Sequence, residues 1–245
     1  YMNKPAKTLA SEIATLIFDK LVNNDIEGDL LNIYYKWVDS NTYSDSLKSY
    51  ISKYKINSSI NIWGGHPDHW FEAIDKLALT NICENIRDNA YIKEKTNKLK
   101  TRASSNKVAK IVPTWLKEVI SIIEFDSKPL TACNSFDKTV TFYTASFQSI
   151  DRAIRKLYAQ FLNEEKIIRP LQEYYESINH QVLQHWFEYT QEYKSNQQGY
   201  LPELLKNAKP KTAIIVGDGV RYEIAEFVAQ SLGKTFKIEK YTMLA

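Results

Sequence analysis

The chain contains few of the residues that interrupt regular structure: seven glycines and seven prolines in 245 residues. Their scarcity, together with long periodic apolar runs, favours a mainly α-helical chain. Cysteine is scarcer still, and Cys83 and Cys133 lie far apart in sequence. Such usage argues against a disulfide framework and predicts two free structural thiols in a reducing compartment.

The sequence also lacks long apolar runs and an excess of charge of one sign. No run reaches the length that spans a bilayer, and the N-terminus has no signal-peptide pattern, so we expect a cytoplasmic protein without membrane contact. The net charge of +3 is too small to indicate nucleic-acid binding by itself. A hydrophobic content of 44% is ordinary for a globular protein with one large or two modest domains.

Apolar residues recur at helical spacing over most of the first 208 positions. The pattern predicts helices over 5–24, 28–39, 44–55, 66–89, 113–125 and, as two long antiparallel helices, within 136–195. Pro67 is expected in the first turn of its helix, and Pro170 at the start of the last one. The first part of the chain is therefore predicted to be mainly helical.

Two polar stretches divide the chain into three predicted segments. The basic stretch 93–107 is nearly free of large apolar residues, which predicts an exposed loop or frayed helix end. Contact of this stretch with DNA or with a protein partner is an alternative to simple solvation. A second polar stretch, 195–211, with one glycine and two prolines, follows the long helices. We therefore expect helical subdomains over 1–105 and 106–208 and a different architecture over 209–245.

The last segment has the pattern of a β-α-β unit. It predicts a strand at 213–216, a helix at 222–232 closed by Gly233, and a second strand at 235–241. A continuous Ala-Ile-Ile-Val run is typical of a strand covered on both faces of a parallel sheet. A single β-α-β unit does not fold well alone. Either the rest of the sheet lies outside the chain, or the unit packs on the helices.

Asp218 follows the first predicted strand, at the edge where open α/β sheets bind ligands. A carboxylate there can bind a divalent cation, or it can cap the following helix, and position alone leaves both interpretations open. Gly217 and Gly219 permit a tight turn, and Arg221 can meet an anionic group. The third glycine of a dinucleotide-binding fingerprint is absent, which disfavours a nucleotide fold.

The stretch IIVGDGVRYEIAEFVA resembles the opening strand and helix of a PglZ domain, a branch of the alkaline phosphatase superfamily. The family pattern is an apolar strand, Asp, a small residue, an apolar residue, Arg-Tyr-Glu and an alanine-containing helix. The matching positions are Asp218, Gly219, Val220, Arg221, Tyr222, Glu223 and Ala225. YTMLA at 241–245 is similar to the family's lead-in to its nucleophile. The upstream stretches SFQSIDRAIRKLYAQF, PLQEYYESINHQVLQHW and IYYKWVDS are loosely similar to the family's helical region.

The resemblance implies the start of an α/β alkaline-phosphatase-like domain at 209–245, in a parent protein that acts with other BREX proteins in phage defence. It implies a metal-dependent hydrolase with a phosphoester or nucleic-acid substrate, and it makes Asp218 a ligand of a divalent metal pair, Zn²⁺ in the superfamily pattern. The nucleophile and the other ligands would follow residue 245, so this chain alone is expected to be inactive. Arg221 and Glu223 are expected to orient the turn and pack. The alternative is a non-enzymatic helical scaffold that docks other defence proteins.

Two histidine pairs are candidate metal sites. His66 and His69 flank Pro67 and Asp68, but the predicted helix start there favours a structural role. His180 and His185 would lie about 140° apart on one helix, because each residue turns about 100°, so they cannot form a joint site on that helix alone. No further Cys or His is near either pair in sequence.

Overall fold

The structure, a computed structural model, describes residues 5–195, 197–241 and 243. The prediction of a mainly helical chain is confirmed. The helices are α1 (Ala6–Asn23), α2 (Gly28–Asp39), α3 (Ser44–Ile51), α4 (Glu72–Glu84), α5 (Asn89–Ala103), α6 (Trp115–Ile123), α7 (Phe136–Phe142), α8 (Gln148–Phe161), α9 (Glu165–Glu188), α10 (Tyr200–Lys206) and α11 (Tyr222–Leu232). Within the described ranges, no helix is long and apolar enough to cross a membrane.

Helix α4 begins at Glu72, so Pro67 lies before the helix, not in its first turn as predicted. The reason is local hydrogen bonding by two histidines. Nδ1 of His66 accepts the backbone N–H of Asp68, and Nδ1 of His69 accepts that of Phe71, both at 3.1 Å. Side chains that bond to nearby backbone in this way compete with helix formation.

The basic stretch 93–107 is mostly helical, so the prediction of a loop or frayed end is wrong. It belongs to α5, whose N-terminus is capped by the Asp88 carboxylate through the N–H groups of Ala90 and Tyr91, each at 3.0 Å. The buried positions of α5 follow helical spacing and are Ile92, Thr96, Leu99 and Arg102. Two of these four residues are polar, so a search for apolar periodicity does not detect the buried face of α5.

Helix α9 starts five residues earlier than predicted, and Pro170 lies inside it. The carbonyl of Glu164 accepts the N–H groups of Ile167 and Ile168 at 2.9 and 3.0 Å, and these bonds form the first turn of the helix. Proline has no N–H to donate, so Pro170 costs the helix one backbone hydrogen bond.

The described chain forms two compact units. Unit 1 comprises residues within 1–124 and 156–172, and unit 2 comprises those within 125–155 and 173–245. The units are interleaved in sequence. One boundary follows α6, and the other two fall inside α8 and α9. The division into segments 1–105, 106–208 and 209–245 stays a prediction.

The core of unit 1 is built on the buried side of α1, where Ile17, Phe18 and Leu21 are almost fully buried. The ring of Phe18 makes edge-to-face contacts with Tyr54 and Phe71, with centroids 5.3 and 5.5 Å apart. Such pairs add to the free energy gained by burying apolar area. The periodicity that predicted α1 therefore corresponds to its packing.

In unit 2, α7 runs through one π-helical turn, Tyr143–Phe147, directly into α8. The ring of Phe147 stacks on that of Tyr175 from α9 at a centroid distance of 5.9 Å. Phe136 of α7 packs edge-to-face on Trp186 of α9 at 4.8 Å. The abundant aromatic residues of this region thus serve as core, as their helical spacing predicted.

The last segment contains the predicted helix but not the predicted strands. Helix α11 ends at Leu232 with Gly233 as its C-cap, as expected. Among the described residues no strand forms at 213–216 or 235–241, so the β-α-β opening is not shown. A strand needs a hydrogen-bonded neighbour. None is present in the described part of the chain, and Ile215 is left 93% exposed.

Both cysteines are free and buried, as predicted. Burial raises the pKa of the Cys83 thiol to about 12, and it also raises the pKa of Cys133. A thiol with a raised pKa is protonated at neutral pH and is a poor nucleophile. The two residues are therefore small core side chains.

Candidate functional site

Asp218 lies exposed on the turn before α11. Gly219 adopts a positive φ of 64°, which favours glycine at this position of the turn, and a Cβ at Gly217 would come within 2.7 Å of Cγ2 of Val220, whose side chain would have to shift. The N-cap residue of α11 is Arg221, and no side chain caps the helix. The interpretation of Asp218 as a helix cap is therefore wrong, and its carboxylate is uncommitted within the described structure.

Glu223, in the first turn of α11, is 2% exposed and pairs with the guanidinium of Arg155 from α8. Its second carboxylate oxygen, Oε2, is buried without a hydrogen-bond partner. Arg155 also lies 4.0 Å from Oδ2 of Asp151. Burying a carboxylate is costly unless it is paired, so this contact fixes the start of α11 on α8.

A second layer of hydrogen bonds holds Asp151 in place. The hydroxyl of Tyr143 donates to one carboxylate oxygen at 2.9 Å, and that of Tyr175 donates to the other at 2.5 Å. Burial raises the pKa of both tyrosines, and the Asp151 charge raises it further, so both remain donors at neutral pH. The π-helical turn, α8, α9 and α11 thus share one polar network within unit 2.

Ring contacts complete the attachment of α11. Tyr222 packs against Tyr143 with centroids 6.3 Å apart, and the guanidinium carbon of Arg152 lies 4.4 Å from the ring centroid of Phe227. The latter distance is typical of a cation–π contact. Nζ of Lys240 donates to both carboxylate oxygens of Glu226 at 2.8 and 2.9 Å. Residues 235–241 therefore return alongside α11.

The remaining apolar surface of this segment is uncovered. Exposed large apolar side chains of residues 200–241 are Tyr200, Leu201, Leu204, Leu205, Ile215, Val216, Val220, Ile224, Phe227, Val228, Leu232, Phe236, Ile238 and Tyr241. Large exposed apolar surfaces are typical of places that another element or protein covers. The Asp218 turn thus combines a fixed helix start, a free carboxylate and an uncovered apolar surround.

The two histidines before α4 take part in a different arrangement, which sequence reasoning missed. His69 is 5% exposed, and its Nε2 lies 3.8 Å from Oδ1 of Asp75. Burial holds the pKa of His69 well below its usual range, and the charge of Arg102 lowers it further. The ring is therefore neutral, with Nδ1 accepting the N–H of Phe71.

Asp75 and Arg102 form a fully buried, two-pronged ion pair. Nε and Nη2 of Arg102 donate to Oδ1 and Oδ2 of Asp75 at 3.1 and 3.0 Å, and Nη1 donates to the carbonyl of Pro67 at 3.0 Å. Burial raises the pKa of Asp75, and the guanidinium opposes that change. Bidentate geometry of this kind is the strongest form of the Arg–carboxylate contact.

These residues line a cavity of about 410 Å³ in unit 1. Its wall includes Trp63, His66, Pro67, His69, Asp75, Lys98 and Arg102, and its apolar floor includes Ile74, Ala78 and Leu99. The polar members come from positions as far apart as 63 and 102, so no local motif could reveal them. The burial of Arg102 on α5, which is evident only in the structure, is what reveals the cluster.

His180 and His185 do not form a site with each other. Both border a depression of about 790 Å³ on unit 2, where Nδ1 of His185 lies 3.2 Å from the carbonyl oxygen of Cys133. Over the described part of the chain, no group of three or more His, Cys, Asp or Glu residues is arranged to hold a metal ion. Neither the histidine pairs nor Asp218 has further ligands there.

No family model, no curated protein and no solved structure matches this chain.

Proposed function

We propose that this chain is the helical region and opening segment of a PglZ-type phage-defence protein, and that the parent is a metal-dependent hydrolase of phosphoesters. One observation carries the proposal. The Asp218 carboxylate is exposed and uncommitted on a glycine turn whose following helix is anchored by the buried Glu223–Arg155 pair. A metal ligand must be free to coordinate and must be held on a rigid element.

The surroundings of Asp218 also suit the opening of an α/β domain. Ile215 and Val216, just before the turn, are 93% and 76% exposed, which is costly for a final fold and natural for a strand that lacks its sheet. The pair between Lys240 and Glu226 brings the chain back along α11, as a β-α-β path requires. The parent's other strands would supply the remaining ligands, since one carboxylate does not hold Zn²⁺ tightly.

In this proposal Asp218 would hold one ion of the metal pair, which would supply Lewis-acid chemistry at a phosphoester, and the chain's own residues position the Asp218 carboxylate. Glu223 and Arg155 fix the start of α11, and Gly219 provides the turn. Arg221 is exposed as the N-cap residue, with its backbone carbonyl accepting the N–H groups of Ile224 and Ala225. Its side chain is therefore available to an anionic substrate.

The test compares the complete gene product with its Asp218→Ala variant. Zn²⁺ and Mn²⁺ binding is measured by titration calorimetry, and hydrolysis of bis(p-nitrophenyl) phosphate is followed alongside. We expect Asp218→Ala to lose both metal binding and turnover, while Asp29→Ala, an exposed carboxylate on α2, retains both. Equal metal binding by the two Asp218 forms would remove Asp218 from the site.

The uncovered apolar side chains of α10 and α11 favour a second candidate, a scaffold that docks other proteins of the defence system. Leu205 is 57% exposed and Phe227 49% exposed. A single charge at the centre of an apolar interface weakens it strongly. If docking is the role, Leu205→Asp will abolish co-purification with those proteins, and Asp218→Ala will leave it intact.

A further inference from the structure

We propose that the cavity of unit 1 binds a small organic anion with a flat apolar body, held by Lys98 and His66 over a floor of α4 and α5. This site is independent of the Asp218 turn and does not rest on the proposed function. At about 410 Å³ the cavity falls within the size range of small-molecule sites. Its lining combines an apolar floor with a few fixed polar groups, the usual composition of such sites.

The charge of the lining selects an anion. Asp75 and Arg102 neutralise each other through their two-pronged contact. Burial lowers the pKa of both His66 and His69, so these rings are uncharged at neutral pH. The ammonium of Lys98 is the remaining charge of the lining, and an acidic group is its natural partner.

Unused hydrogen-bond donors point to the same class of ligand. Nδ1 of His66 accepts the N–H of Asp68, so Nε2 of this ring carries the proton, and it has no partner among the described residues. The ammonium of Lys98 has three N–H donors, and one of them donates to the carbonyl of Trp63 at 2.5 Å. Two of the five Arg102 N–H groups also remain beyond those given to Asp75 and Pro67.

The lining is preorganised, which reduces the ordering cost of binding. The indole Nε1 of Trp63 donates to Asn81 and Tyr91, both at 3.2 Å, which fixes this ring at the cavity wall. Lys95 lies over the same ring at 5.7 Å from its centroid. A flat apolar ligand body would therefore meet a rigid aromatic wall.

Titration calorimetry on the full chain tests the proposal with four matched probes. 2-Naphthyl phosphate and 2-naphthoate carry a ring and an acidic group, 2-naphthol carries the ring alone, and inorganic phosphate carries the charge alone. We expect one-to-one binding of at least one ring anion. We expect 2-naphthol and inorganic phosphate to bind at least about tenfold more weakly, because a charge-assisted hydrogen bond is lost or the ring contact is missing. The phosphate and carboxylate probes distinguish the two acidic groups.

Variants locate the binding. Lys98→Met should weaken the ring anion roughly tenfold and leave 2-naphthol unchanged. Thr101→Trp, at an exposed position on the cavity rim, should block all probes, with circular dichroism confirming the fold. Lys93→Met, an exposed lysine of α5 that does not line the cavity, should change nothing. The proposal is overturned if neither ring anion binds, if 2-naphthol binds as tightly as the anions, or if Lys98→Met and Thr101→Trp both leave affinity unchanged.

Discussion

The helices before residue 190 and the segment after residue 200 have similar apolar patterns, but their apolar side chains differ in solvent exposure. In the first region most patterned residues are buried, as in Leu21 and Ile82, both 0% exposed, although Leu16 and Leu77 are 45% and 42% exposed. In the second, Ile215 is 93% exposed and Phe227 49% exposed. A helical stripe needs only neighbouring helices, which this chain supplies, whereas a strand needs a sheet. The contrast separates a region whose apolar surface is largely buried in the described structure from one whose apolar surface is largely exposed there.

The two buried ion pairs show the same difference at the level of single residues. Both carboxylate oxygens of Asp75 are bonded to Arg102, which is 5% exposed. Glu223 pairs through one oxygen with an arginine whose side chain is 34% exposed, and its Oε2 is unsatisfied. The first pair is complete, and the second leaves a bonding position open beside the Asp218 turn.

The largest loss of folding stability is expected when the Asp75–Arg102 pair is broken. Arg102→Ala would leave Asp75 charged and buried without a partner, at a cost of about 3–5 kcal/mol in the free energy of unfolding. Urea denaturation measures this change. Asp39→Ala, which removes an exposed pair with Lys110, serves as the control and should leave the midpoint unchanged. A loss at Arg102 no greater than that of the control would show that the cluster does not organise unit 1.

At the incomplete pair a smaller, local effect is expected. Arg155→Ala should reduce the local stability of α11 by about 1–3 kcal/mol, because the buried Glu223 carboxylate loses its charged partner. Hydrogen exchange at the amides of α11 reports the change. Lys156→Ala, which removes a contact with Glu118 in unit 1, is the matched substitution on α8 and should leave those amides unaffected. Unchanged exchange in Arg155→Ala would mean that the pair does not anchor the helix.

The third effect is a pH dependence centred on His69. Its folded pKa lies well below 6.5, so the unfolded state binds the proton first as pH falls. The contribution of neutral His69 to the free energy of unfolding is therefore fully present above pH 6.5. It is lost as the pH falls below 6.5, by up to about 1.4 kcal/mol per pH unit. His69→Asn keeps an acceptor for the Phe71 N–H and should flatten this part of the stability curve. Parallel curves for the two proteins between pH 6.5 and 5 would rule out His69 as the source.

The smallest effect is expected at Asp218. Its carboxylate makes no contact that the described structure shows, so Asp218→Ala should change the stability of this chain by less than about 0.5 kcal/mol. Thermal denaturation at fixed pH is sufficient to measure it. Loss of a helix cap would cost about 1 kcal/mol. A change of that size would return Asp218 to the capping role.

Periodicity predicted much of the helical fold because apolar stripes require only local register. Helix α2 has the predicted bounds, and α1 and α6 lie within a few residues of theirs. The pattern failed where polar residues are buried, since Thr96 and Arg102 interrupt the stripe of α5. It also failed at Pro170, because a proline tolerated inside a helix has the same signature as one that starts it.

The two candidate sites also differ in how far the sequence could predict them. The turn around Asp218 was predicted, since its residues are contiguous in sequence. The cavity of unit 1 was not, because Asp75 and Arg102 meet only after α4 and α5 have packed. The strands predicted at 213–216 and 235–241 do not form in the described structure, where no neighbouring strand is present to pair with them.

Hydrogen exchange at the amides of residues 213–216 tests most directly whether this segment is an uncovered strand. The measurement compares this chain with the complete gene product proposed above. In the chain, where these amides make no hydrogen bonds within the described structure, we predict rapid exchange. In the complete protein we predict strong protection, because a sheet would take up the same amides. Equally rapid exchange in both proteins would contradict the incomplete-strand interpretation and with it the assignment of residues 209–245 to an α/β domain.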